Sequence, residues 1–174
     1  GFVEVGDYEE YKKQYQGKYI IENVTIKDLV ATYHVNMGTE GTLVAAAFGH
    51  YGKTAVMNDC VMTGTTSLME GYTPVDVAFP NATTTTINRG EYGHLFLSNQ
   101  AKVTINDAKV GIIDSGAITT NSLGKLTIGA GTTVDTINLI PGKYPPALVI
   151  EEGATVCTIN YNGTAYTQAE WLAR

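Results

Sequence analysis

The sequence predicts an all-β fold of the solenoid class, in which short strands stack on one another along an axis. A strand-like segment recurs three times in the second half of the chain, at residues 102–105, 125–128 and 147–150. A pair of apolar residues follows each segment at an almost constant distance: Val110 with Ile113, Val134 with Ile137, and Val156 with Ile159. The repeats are offset by 22 to 24 residues, which is shorter than the repeats of helical-hairpin arrays.

Apolar and polar residues alternate within each repeat, which predicts one buried face and one solvated face. The side chains expected to face water are those of Lys102, Thr104, Lys125 and Thr127. A single coil cannot bury its own apolar side, so like residues must stack on like residues. The expected stacks are Val103 with Leu126 and Leu148, and Val110 with Val134 and Val156. Asp107, Gly131 and Gly153 precede the second stack and predict turns with positive φ.

The first half of the chain shows the same pattern with looser spacing. Further strands are predicted at residues 23–26, 55–62, 84–88 and 92–97. The four threonines at 83–86 suit an exposed strand face, since β-branched residues favour strands. Irregular excursions are predicted at about 33–53 and 63–82, where Gly, Thr, Tyr and Pro accumulate.

Both ends of the chain carry signals that would close a solenoid. We expect a helical cap over 1–18, opened by the capping box at residues 7–10, then coils over 19–161. A C-terminal cap is predicted over 162–174, from the hairpin signal Asn162-Gly163 and a second capping box between Thr167 and Glu170. The expectation is a single complete domain, 1–174, with short capping helices at both ends.

Composition narrows the classes of partner. The chain has 174 residues, 44% of them hydrophobic and 16% charged, which is enough for one core. Its net charge of −6 argues against nucleic acid or an anionic membrane surface. No run of 18 apolar residues predicts a membrane span. Cys60 and Cys157 lie in distant strand-like runs and are predicted to be unpaired and buried. A monomer is expected.

The chain resembles the single-stranded right-handed β-helix, the pectate-lyase-like fold. The resemblance is carried by the 22-to-24 spacing, the Val-Thr-Ile strands, the run at 56–64 and the closing segment from Gly153 to Trp171. That segment is similar to the ends of bacterial secreted or surface β-helix proteins. The resemblance implies a right-handed parallel β-helix, an extracellular setting and an association with glycans.

Enzymes of that fold provide a test for chemistry. The sequence has no adjacent Asp pair of the hydrolase type, and its aspartates are dispersed singly rather than clustered for calcium. We therefore assign no catalytic residue, no metal ligand and no cofactor. The alternative is a small polysaccharide lyase or glycoside hydrolase. Hexapeptide-like runs also leave open a left-handed β-helix of the acyltransferase type. Three hexads give about 18 residues per coil, whereas this chain repeats every 22 to 24 residues, so the left-handed fold ranks second.

An aromatic and polar group in the early coils is the candidate binding site. Its members are Tyr33, His34, Tyr51, Tyr72, Glu91, Tyr92 and His94. Loops on a rigid scaffold are where solenoids place binding surfaces, and tyrosine faces suit sugar rings. The competing interpretation is that these tyrosines pack the loops. The sequence favours a non-catalytic secreted or cell-surface module that binds polysaccharide or cell-wall glycan, or that is architectural.

Overall fold

The computed structural model describes residues 18–32, 35–36, 43–50, 53–79, 83–98, 100–115, 124–139 and 147–174. Fifteen strands and one short helix lie in these ranges. They are β1 (Lys18–Glu22), β2 (Thr25–Lys27), β3 (Val30–Ala31), β4 (Val35–Asn36), β5 (Leu43–Gly49), β6 (Thr54–Thr63), β7 (Thr66–Ser67), β8 (Thr73–Phe79), β9 (Thr84–Leu97), β10 (Lys102–Ser115), β11 (Lys125–Ile128), β12 (Thr133–Leu139), β13 (Ala147–Ile150), β14 (Thr155–Tyr161), β15 (Thr164–Tyr166) and α1 (Gln168–Leu172).

Two series of parallel strand pairs organise the fold. One runs β1, β6, β9, β10, β11, β13, and the other runs β5, β8, β9, β10, β12, β14. The long strands β9 and β10 belong to both series. Among the described strands, only β4–β5 and β14–β15 pair antiparallel. The chain is therefore an all-β protein with a mostly parallel sheet, an arrangement compatible with a solenoid.

The predicted stacks are confirmed in register. Val103 lies opposite Leu126, which lies opposite Leu148, and Val134 joins Val110 to Val156. Leu126 is 0% exposed, whereas Leu148 is only half-buried. β13 lies at the end of its series, where no following described strand covers it. Thr127 departs from the prediction, because it is buried rather than facing water.

The predicted turns are also confirmed. Asp107, Gly131 and Gly153 have φ values of 51°, 77° and 85°. Earlier layers place Asp59 and Arg89 in the same region, at 53° and 61°. Aspartate and asparagine tolerate left-handed backbone better than other residues with a Cβ, which makes Arg89 the unusual member.

The larger of two apolar clusters among the described residues runs through the parallel series, and the smaller contains Val44, Val75, Ala78 and Phe96. The central row of the larger cluster contains Met57, Ile87, Ile105 and Ile128, each 0% exposed and each opposite the next. Stacking of this kind removes nearly all of each side chain from water, which stabilises the fold by about 1.5–3 kcal/mol per large apolar residue.

The two predicted excursions contribute strands to the sheet. β5 lies within the first and β8 within the second, and they pair with one another. Val75, Val77 and Phe79 of β8 are 0% exposed, so this segment is core and not an irregular loop. Because β5 and β8 are inserted between stacked strands, the early coils are longer. Asn58 therefore stacks on Glu22 at an offset of 36 residues, and Asn88 on Asn58 at an offset of 30. The next offset is 18, and the regular 24 and 22 appear only later.

Two further predictions about side-chain exposure are wrong. Thr83 and Thr85 are 2% and 1% exposed, because alternate positions of this segment point into the core. Cys60 and Cys157 are both free, as predicted, but only Cys60 is buried. Cys157 follows the inward-facing Val156 and therefore points outward.

The C-terminal end follows the prediction. Asn162 and Gly163 have φ values of 49° and 75°, which suits the type I′ turn of the β14–β15 hairpin. The Thr167 side chain accepts from the Glu170 backbone N–H, and the Glu170 carboxylate accepts from the Thr167 N–H, which completes a capping box at the start of α1.

The predicted N-terminal cap lies outside the described residues, except that Lys18 belongs to β1 rather than to a helix. No helix in the described part of the chain is long and apolar enough to cross a membrane.

Candidate functional site

Polar side chains on the outer face form hydrogen-bonded rows across successive strands. In the asparagine row, the Nδ2 of Asn58 donates to Oε1 of Glu22 over 3.1 Å. Asn88 donates to Asn58 over 3.0 Å and Asn106 to Asn88 over 3.1 Å. Gly129, directly after β11, lies near the next position of the row, where a Cβ would collide with the Asn106 side chain. Each amide therefore satisfies its neighbour's hydrogen-bonding capacity along the row.

A second row contains the titratable pair His94 and Asp114. The His94 Nε2 lies 2.7 Å from Oδ2 of Asp114, and Asn138 donates to Oδ1 of Asp114 over 2.7 Å. Asn160 continues the row by donating to Asn138 over 2.8 Å. Burial raises the pKa of the Asp114 carboxyl, but the hydrogen bonds from His94 and Asn138 outweigh burial and hold the pKa below its usual range.

Asp76 adds a second carboxylate beside this row. Its Oδ1 accepts from the backbone N–H and the hydroxyl of Thr65, over 2.9 and 2.6 Å, and its Oδ2 accepts from the His94 N–H over 2.7 Å. Asp76 is 3% exposed. A Cβ at Gly93 would collide with this carboxylate, so the close approach requires glycine there.

Asp76, His94 and Asp114 form the described group with the most capacity for acid–base chemistry. Both oxygens of each carboxylate already accept hydrogen bonds, and the His94 side chain is 19% exposed. A general base must reach its substrate's proton directly or through one water. The described residues contain no group of three or more His, Cys, Asp or Glu side chains arranged to hold a metal ion.

Ion pairs join adjacent strands at the turns. Arg89 binds Asp59 through two hydrogen bonds of 2.7 and 2.9 Å. The side-chain hydrogen bonds between Arg89 and Asp59 lower the pKa of the Asp59 carboxyl and raise the pKa of the Arg89 guanidinium. Lys109 lies 4.0 Å from Glu91. Both pairs are exposed, so each contributes little to stability.

Lysines occur in register at the start of the first parallel series. We define the lysine row as the residues in register at the start of the first parallel series: Lys18, Thr54, Thr84, Lys102, Lys125 and Ala147. Lys102 and Lys125 are exposed neighbours, and no described carboxylate lies within ion-pair distance of either. Like charges directly opposite one another destabilise a sheet. The repulsion between the Lys102 and Lys125 ammonium groups therefore destabilises the sheet locally, and a bound anionic ligand would reduce this repulsion.

The binding residues predicted from sequence do not form one described surface. Tyr33, His34 and Tyr51 lie outside the described residues. Glu91 is exposed beside Lys109, and Tyr72 is half-buried near a turn where its N–H donates to the Met69 carbonyl over 3.3 Å.

Tyr92 cannot serve as a sugar-binding surface. It is 1% exposed and lies between Met62 and Val110 in the core. Its hydroxyl has no hydrogen-bond partner among the described residues. Burial, followed by the neighbouring Cys60, raises the pKa of the Tyr92 phenol well above its usual range.

Two features were not foreseen from the sequence: the asparagine row and an aromatic group on the C-terminal cap. The asparagine row depends on register between layers whose offsets vary along the chain. Lys102 and Lys125 of the lysine row were predicted to face water at the start of successive repeats. The available signal for the cap was the closeness of Tyr161, Tyr166 and Trp171 in sequence.

No family model, curated protein or solved structure shows significant similarity to this chain.

Proposed function

We propose that this chain is a right-handed parallel β-helix of the pectate-lyase-like type, acting as a non-catalytic architectural module of a secreted or cell-surface protein. The observation that supports this proposal is the use of polar side chains as rows. Groups that could do chemistry are instead hydrogen-bonded to neighbouring strands: Asp114 to Asn138 at the same position and to His94, which lies opposite Ile112.

The row through Asp114 illustrates the argument. A catalytic carboxylate needs an oxygen or a proton available to the substrate, whereas Asp114 accepts from His94 on one side and Asn138 on the other. Asp76 is buried with three donors. These contacts tie strands together, which is the requirement of a spacer that must hold its shape.

The alternative is a small polysaccharide lyase or glycoside hydrolase. Its supporting observation is that two carboxylates contact His94, Asp114 at the imidazole and Asp76 at the backbone N–H. These groups would act if substrate displaced the existing hydrogen bonds. A pair of carboxylates about 5–10 Å apart is required for glycoside hydrolysis.

Turnover assays separate the two proposals. The protein is incubated with acidic and neutral plant and bacterial polysaccharides, and new reducing ends and new unsaturated ends are measured. The architectural proposal expects no turnover by the wild type, and Asp114→Asn is expected to change only the free energy of unfolding. Turnover that Asp114→Asn abolishes, with the fold intact, would establish the enzyme instead.

Glycan binding is a second candidate, favoured by the lysine row. Lys102 and Lys125 project from adjacent strands about 4.8 Å apart, beside the partly exposed hydroxyl of Thr104. A linear polysaccharide that carries a negative charge on each sugar would pair with both ammonium groups. The overall charge of −6 makes this face a local exception.

Affinity electrophoresis in gels containing acidic or neutral polysaccharide tests this candidate. Lys102→Ala with Lys125→Ala should abolish a salt-sensitive retardation by the acidic polymer. Lys109→Ala, which removes one charge outside the row, should reduce it only slightly. Retention lost in Tyr51→Ala but kept in the double lysine variant would return the site to the early coils. Retention by no polymer would leave the architectural proposal.

A further inference from the structure

Three aromatic side chains on the C-terminal cap form a cage, which we define as Tyr161, Tyr166 and Trp171. The Trp171 ring stands edge-on to both tyrosines, with centroids 5.8 Å from Tyr161 and 5.6 Å from Tyr166. The three residues come from three different elements, β14, β15 and α1. The capping box and the hairpin fix these elements relative to one another.

The cage holds a cation in this structure. The guanidinium carbon of Arg174 lies 4.4 Å from the Trp171 ring centroid, 5.1 Å from that of Tyr166 and 5.3 Å from that of Tyr161. All three distances fall within the range of cation–π attraction, for which tryptophan is the best partner. Among the described residues, no side-chain carboxylate lies within ion-pair distance of Arg174.

The geometry favours a particular class of cation. A guanidinium is planar and weakly hydrated, so it leaves water for an aromatic face at lower cost than a compact ammonium. Arg174 is exposed and the three rings are only partly buried, so a cation from solution can reach the same faces.

We propose that this aromatic cage is a binding site for weakly hydrated organic cations, of the guanidinium or quaternary ammonium type. Arg174 is its intramolecular occupant and competes with the external ligand. The site lies on the cap, away from the lysine row, and does not depend on the module being architectural.

The test uses Trp171, the chain's single tryptophan, as a fluorescence reporter. Tetramethylammonium and N-acetylarginine amide are titrated into wild type and Arg174→Gln, with N-acetyllysine amide as the strongly hydrated comparison. Arg174→Gln empties the cage, so both weakly hydrated probes should bind it roughly 5- to 30-fold more tightly than wild type. Lys125→Gln removes an equal charge far from any ring contact and should match wild type.

Two outcomes would overturn the proposal. One is the absence of a saturable change in Trp171 emission in Arg174→Gln with its melting temperature unchanged. The other is equal binding of the lysine probe. If Arg174→Gln loosens the cap, NMR of the unaltered protein decides: the arginine probe must shift the Trp171 indole N–H and the Arg174 Nε–H together. A shift of neither resonance contradicts the cage as a cation site.

Discussion

At the scale of single residues, Tyr92 shows where sequence alternation fails. Ile87 points inward and Asn88 outward, so simple alternation places Arg89 and Glu91 inward. The positive φ values at Arg89 and Gly90 change the phase of the strand. Tyr92 then points into the core opposite Val110. The strand at 92–97 was predicted from the sequence, but this phase change was not. Tyr92 was placed on a binding surface because it lies in the irregular early coils.

Replacing Tyr92 tests its place in the core. Tyr92→Ala should destabilise the protein by about 3–5 kcal/mol, because it leaves a large cavity. Tyr92→Phe should be neutral or slightly stabilising, since it removes a buried hydroxyl that has no partner among the described residues. Chemical denaturation measures both. A Tyr92→Ala protein as stable as wild type would show that the side chain faces solvent.

Gly90 and Gly71 form a matched pair for separating steric overlap from backbone strain. Both have positive φ, 114° and 80°, so alanine is strained at either position. A Cβ at Gly90 would collide with the Cys60 carbonyl, whereas a Cβ at Gly71 meets nothing within 4 Å. Gly71→Ala should cost about 1 kcal/mol. Gly90→Ala should cost several times more, and equal melting temperatures for the two variants would contradict the close packing of β9 on β6.

At the scale of elements, strand register could be predicted from sequence only where successive coils have nearly the same length. The apolar pattern of β10 to β14 repeats at nearly constant spacing, so residues such as Val134 could be placed in register from sequence. The asparagine row could not, because its members are 36, 30 and 18 residues apart. The offsets of 36 and 30 depend on β5 and β8, whose apolar segments resemble loops when Gly, Thr and Pro surround them.

The row through Asp114 predicts a pH dependence of stability. The lowered pKa of Asp114 in the folded state means that its carboxylate stabilises the fold above the unfolded pKa of about 3.9. That contribution is lost as the pH falls through the lower folded pKa. Asp114→Asn should therefore cost about 1.5–3 kcal/mol at pH 7, the range for hydrogen bonds to a charged group.

The difference between wild type and Asp114→Asn should shrink as the pH falls from 4 towards 2. Urea denaturation of both proteins across that interval measures it. Asp135→Asn is the control, since Asp135 is exposed and makes no described ion pair. A cost that does not change with pH would show that Asp114 acts through shape and not through its charge.

At the scale of the whole molecule, the parallel series leaves open backbone at its last layer. α1 closes it with one side chain: the Gln168 Oε1 accepts from the Val156 N–H over 2.7 Å, and its Nε2 donates to the Ala154 carbonyl over 3.1 Å. This amide stands where the next strand's peptide group would be. Trp171 packs against the same end of the core. The sequence predicted the capping box that opens this helix, but not the role of Gln168.

Removing residues 167–174 should cause concentration-dependent aggregation that the full chain does not show. The loss would free the Val156 N–H and the Ala154 carbonyl and uncover the core beside Ile159, and unpaired strand edges template association. Light scattering after size-exclusion chromatography over a range of concentrations measures the outcome.

Gln168→Ala isolates the contribution of the side chain from that of the apolar cover. It should cost about 1–3 kcal/mol, because a buried donor loses its partner, while Trp171 still covers the core and the protein stays monomeric. Leu172→Ala is the matched control within α1, since Leu172 is 59% exposed and its loss should change stability by less than about 0.5 kcal/mol.

A truncated protein that remains monodisperse and as stable as wild type would mean that the last strand needs no cover, and the pairing of Gln168 with β14 would then be incidental.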